Sequence, residues 1–138
     1  MDDQLPLYPD GLTREQFTRL SDHANRASQL TIAELQQAAQ GHLQDAAQAR
    51  QQNRWVNLRL ATALCDAIRN IALAWETLPP GARNWLAGAI LYFASSDDEE
   101  PDFASPIGFE DDVEVLNACL RFAHLDRLCL NPEDYDDA

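Results

Sequence analysis

The side chains best able to do chemistry in this chain are carboxylates, and they are crowded together. Between residues 97 and 114 stand nine acids and no base: Asp97, Asp98, Glu99, Glu100, Asp102, Glu110, Asp111, Asp112 and Glu114. Hard cations take oxygen ligands, so a Mg²⁺ or Ca²⁺ site drawn from Asp98, Asp102, Asp111 and Asp112 is one chemistry open to this segment. The spacing is not that of an EF-hand. Counted from Asp98, the position that needs glycine is Phe103, and the one that needs a bidentate glutamate is Phe109. Paired carboxylates also serve hydrolases, but only across a cleft that fixes their separation. The third use is structural. A loop between two apolar helices draws backbone N–H groups inward, and these need acceptors. Aspartates supply them in turns and at helix starts.

Other reactive residues are scattered. His23, His42 and His124 form no His-x-x-x-His or His-Glu-x-x-His pair, so no zinc site is expected. His124 lies five residues from both Cys119 and Cys129, which is not a same-face helical step. Cys65, Cys119 and Cys129 include no Cys-x-x-Cys. They read as reduced thiols of a cytoplasmic protein, with Cys65 and Cys119 as small core residues. Ser95 and Ser96 have no neighbouring base, and there is no Gly-x-Ser-x-Gly or phosphate-binding glycine loop. No catalytic residue is assigned and no cofactor is expected unless the cation reading holds.

The elements that must position the acidic segment are helical. Thr13 with Gln16, and Thr31 with Glu34, are capping boxes, predicting helices over 14–30 and 32–53. The second is rich in Ala and Gln, with a stripe of small apolar residues at Ile32, Leu35, Ala39, Leu43 and Ala46. Leu60, Leu64, Ile68, Ile71, Trp75 and Leu78 form one face, predicting a core helix over 55–78. Pro79, Pro80 and Gly81 stop it. Residues 82–94 are apolar nearly all round, as in a central helix. Asp111 with Glu114 looks like a cap opening a last helix over 111–128, with Val113, Leu116, Leu120 and Ala123 inside. The expected fold is all-α, a single-domain bundle of about five helices with an acidic loop before the last one. Residues 1–12 read as an extended lead-in, 13–130 as the domain, and 131–138 as a loose acidic tail.

The stretch from Tyr92 to Asp112 resembles the YkvA-like family of bacterial domains of unknown function. The matching positions are Tyr92, Ser95, Asp98, Pro101, Asp102, Phe103, Gly108, Asp111 and Asp112, with Phe109 at a position usually held by tyrosine. With the flanking apolar helices the likeness covers roughly residues 80–128. It implies a motif loop of Asp98, Pro101, Asp102, Phe103, Gly108, Asp111 and Asp112, and no established activity. Asp97, Glu99, Glu100 and Glu110 stand where the family is apolar, and Ser96 and Ser105 replace its prolines. Several relatives are associated with membranes, and these charges oppose that property here. On this comparison the motif aspartates are scaffold and the departing acids are solvated, available to a partner.

Charge narrows the partners. The 138 residues carry a formal net charge of −13, and 46% of them are apolar. All ten bases are arginine. No basic patch is visible for nucleic acid, and an anionic bilayer would repel the chain. The start, Met-Asp-Asp-Gln, lacks the features of a secretory signal, and no apolar run is long enough to span a membrane. Trp55, Trp75 and Trp85 read as packing residues, since no basic groove accompanies them. The leading expectation is a non-enzymatic interaction protein (a regulator, adaptor or immunity-type antagonist) that binds a basic protein partner through Asp97, Glu99, Glu100 and Glu110. A cation-dependent enzyme or sensor and a membrane-peripheral protein are the alternatives. Self-association stays open.

Overall fold

The computed structural model describes residues 8–54, 56–95 and 109–135. Five α-helices follow one another: α1 (Arg14–Ala27), α2 (Ile32–Gln52), α3 (Leu58–Leu73), α4 (Pro80–Ala94) and α5 (Glu110–Phe122). Single 3₁₀ turns occupy Trp75–Thr77, Asp126–Leu128 and Pro132–Tyr135. The described residues contain no strand.

Both capping boxes form. Gln16 N–H donates to Thr13 Oγ1 at 3.1 Å, and Thr13 N–H donates back to Gln16 Oε1 at 3.0 Å. Thr31 and Glu34 repeat the exchange at 3.1 and 2.9 Å. The helix expected over 55–78 is shorter at both ends. Asn57 caps α3 by accepting from Leu60 N–H at 3.0 Å. At the far end α3 stops at Leu73 and a 3₁₀ turn carries the chain to Thr77, where Leu78, the residue before Pro79, is extended at φ −88° and ψ 142° and ends the helical run. The carbonyls released there find a donor in Arg83, which reaches Trp75 O at 3.0 Å and Glu76 O at 3.3 Å. The prolines that end this run also begin the next. Pro80 is the first residue of α4, where its fixed φ suits a helix and its missing N–H costs nothing.

α4 is the central element, packed against α1, α2 and α5, while α2 also packs on α3. Leu86, Ala87, Gly88, Ala89, Ile90, Tyr92 and Phe93 are all buried in it, as expected for a helix apolar nearly all round. The α1–α4 crossing is close at Gly88: a Cβ there would sit 2.8 Å from Ala24 Cβ and 2.9 Å from Ala24 Cα. α5 ends in a Schellman motif. His124 is left-handed at φ 61°, its N–H bonds Arg121 O at 3.1 Å, and Leu125 N–H bonds Leu120 O at 2.8 Å. The described C-terminal residues pack back onto the bundle. Asn117 clamps Leu130, donating to its carbonyl at 2.8 Å and accepting from its N–H at 2.9 Å, and Tyr135 packs onto the core.

Candidate functional site

Of the residues singled out in the acidic segment, Asp97, Asp98, Glu99, Glu100, Pro101, Asp102, Phe103 and Gly108 lie outside the described residues. Glu110, Asp111 and Asp112 form the first turn of α5, and each has a different environment. Glu110 is exposed, as a residue available to a partner must be. Asp112 is 2% exposed and engaged in the interior. Asp111 is half-buried between helices.

The proposed capping role of Asp111 does not hold. α5 begins at Glu110 with Phe109 as N-cap, and no side chain caps it. Asp111 is instead an acceptor for two other helices. Tyr92 Oη, in α4, donates to its Oδ2 at 2.5 Å. Gln16 Nε2, in α1, donates to its Oδ1 at 2.7 Å and reaches Glu114 Oε1 at 3.3 Å. Gln16 therefore closes the α1 capping box with its oxygen and ties α5 with its nitrogen. Hydrogen bonds to an ionised acceptor are the stronger kind.

Aromatic packing holds the same junction from below. His23 is 4% exposed, lies edge-on to Tyr92 at 5.5 Å, and has Arg26 Nη2 3.2 Å from its Nδ1. His42 is 6% exposed and lies edge-on to Phe93 at 5.0 Å. Phe109, fully buried, sits 5.9 Å from Phe93. Tyr92 and Phe93, before residues 96–108 in the chain, and Phe109 and Asp111, after them, are thus tied to the core and to one another. The sequence excludes His23 and His42 from a zinc motif, but nothing near them in the chain marks them as buried. Their partners are rings on α4 and ahead of α5.

Among the described residues no group of three His, Cys, Asp or Glu side chains could hold a metal ion. The cation candidates Asp98 and Asp102 are beyond them. The thiols are quiet. Burial pushes Cys65 up from 9.0 to about 11, with Asp66 adding to the rise and Arg69 opposing it. Burial likewise raises Cys119 and Cys129. A raised pKa lowers the thiolate fraction that nucleophilic chemistry needs.

On another face, α3 and the C-terminal turns enclose a groove of about 840 Å³ lined by Arg50, Arg59 and Arg127. Arg127 lies 68 residues beyond Arg59, so the grouping of the three could not be read from the sequence. Arg50 is held in place by donating to Val56 O at 2.9 Å.

No family model, no curated protein and no solved structure matches this chain. The likeness to the YkvA-like family rests on the motif residues alone. No helix among the described residues is long and apolar enough to cross a membrane.

Proposed function

We propose that this chain is a non-enzymatic interaction protein of the YkvA-like kind, and that its acidic segment engages a basic protein partner. The observation that supports this reading most is the division of labour at the start of α5. Asp111 accepts from Tyr92 and Gln16, and Asp112 is buried, while Glu110 beside them is exposed. The anchored acids hold the start of α5. The exposed one belongs to the same acidic segment as Asp97, Glu99 and Glu100, ten residues after Glu100 in the chain. Nine acids without a base within 97–114 give an attractive field for a cationic surface.

The test is affinity capture from the source cells at low and high salt, with the Glu99→Gln/Glu100→Gln/Glu110→Gln variant as comparison. A basic protein retained by the parent chain, released by salt and not retained by the variant supports the proposal. Equal retention by both chains contradicts it. A saturable rise in melting temperature with Mg²⁺ or Ca²⁺ that disappears in Asp98→Asn or Asp102→Asn replaces it with the cation reading.

A further inference from the structure

We propose that the groove between α3 and the C-terminal 3₁₀ turns binds a small organic anion, with a phosphate or carboxylate group on an apolar body. Three observations carry this. The first is charge. Arg50 from the end of α2, Arg59 from α3 and Arg127 from the Asp126–Leu128 turn line one concavity, and Asp66 is the one carboxylate among its described lining. Asp66 is drawn to Arg69, 3.4 Å away. In a chain of net charge −13, this is a local reversal of sign. Guanidinium is the group suited to bidentate recognition of carboxylate and phosphate.

The second observation is shape. The groove's volume of about 840 Å³ falls in the range of roughly 300–1,000 Å³ typical of small-ligand sites. The arginines come from three elements into one hollow rather than along a single helix, which favours a compact ligand over an extended acidic peptide. The third is the mixed lining. Leu58 and Tyr135 add apolar and aromatic surface to the same lining as the arginines, so the site suits a ligand with an apolar part and not a bare inorganic anion. Arg50 and Arg59 already take part in further contacts. An incoming anion joins or displaces these, and the bond from Arg50 to Val56 keeps one guanidinium oriented before the ligand arrives. This site lies apart from the acidic segment and does not depend on how that segment is read.

The test titrates the full chain with phenyl phosphate by calorimetry, with inorganic phosphate, benzyl alcohol and a hexaglutamate peptide as comparison probes. Phenyl phosphate should bind saturably and more tightly than each of the other three. Arg59→Gln/Arg127→Gln should weaken it about tenfold or more with the fold intact and little change in melting temperature, since both residues are exposed. Asp66→Asn should act the other way and tighten binding by about two- to fivefold. That second variant keeps the test decisive if the arginine variant folds poorly. Absence of saturable binding, affinity indifferent to these substitutions, equal affinity for inorganic phosphate, or preference for the hexaglutamate peptide would each overturn the proposal.

Discussion

Asp111 shows how much a single carboxylate can be asked to do. One of its oxygens takes the Tyr92 hydroxyl and the other takes the Gln16 amide, so three helices meet at one side chain. Asp111→Ala should cost about 1–3 kcal/mol, because it strands two donors at a partly buried junction. Tyr92→Phe removes only the hydroxyl. The double variant should therefore lose less than the sum of the two single changes, by about 0.5 kcal/mol or more. Urea denaturation of the four chains measures this, and strict additivity would show that the bond contributes nothing. Cys65 makes a prediction in pH. Its thiol is raised from 9.0 to about 11, chiefly by burial. The folded chain keeps a proton that the unfolded chain gives up. Stability from this group is full below pH 9 and drains away as the pH climbs towards 11. Cys65→Ala should flatten that part of the pH–stability curve, and an equal alkaline loss in both chains would contradict the assignment.

At the level of elements, what could be read in advance was what is local. Thr13 with Gln16 and Thr31 with Glu34 cap within three residues, so their helices start where the sequence says. The ends of α3 depart from the apolar stripe for a related reason. The apolar stripe continues through Trp75 and Leu78, but the rule about residues before proline and the cap at Asn57 outrank periodicity. The role of Asp111 was not legible, because its partners lie 19 and 95 residues away. A local cap pattern with Glu114 was available as a decoy. The helix crossings give a paired test on glycine. A methyl at Gly88 would meet the Ala24 backbone at 2.9 Å, whereas at Gly41 it would meet nothing within 4 Å. Gly88→Ala should destabilise by about 1–3 kcal/mol through overpacking. Gly41→Ala should stabilise by about 0.5–1 kcal/mol through helix propensity. Melting temperatures moving in the same direction would contradict the packing described for α1 and α4.

For the whole molecule, charge is the dominant feature, and it is unevenly placed. The all-helical architecture and the central place of α4 were readable from apolar periodicity. The gathering of Arg50, Arg59 and Arg127 was not, since it exists only after α2, α3 and the C-terminal turns have packed. A net charge of −13 repels itself in the compact state. Added NaCl should therefore raise the melting temperature between low ionic strength and about 0.15 M, where the screening length is about 8 Å. A melting temperature that falls with salt would mean that attractive ion pairs outweigh this repulsion.

We propose that the acids around α5 are divided between holding the fold and meeting a partner. Melting temperature and partner retention, measured together in Asp111→Asn and in Glu99→Gln/Glu100→Gln/Glu110→Gln, test this division. The first should melt lower because the Tyr92 and Gln16 donors lose their charged acceptor. The second should keep its melting temperature, or gain slightly, and lose the partner. The reverse pattern, a stable Asp111→Asn chain beside a destabilised triple variant that still retains the partner, would contradict the account.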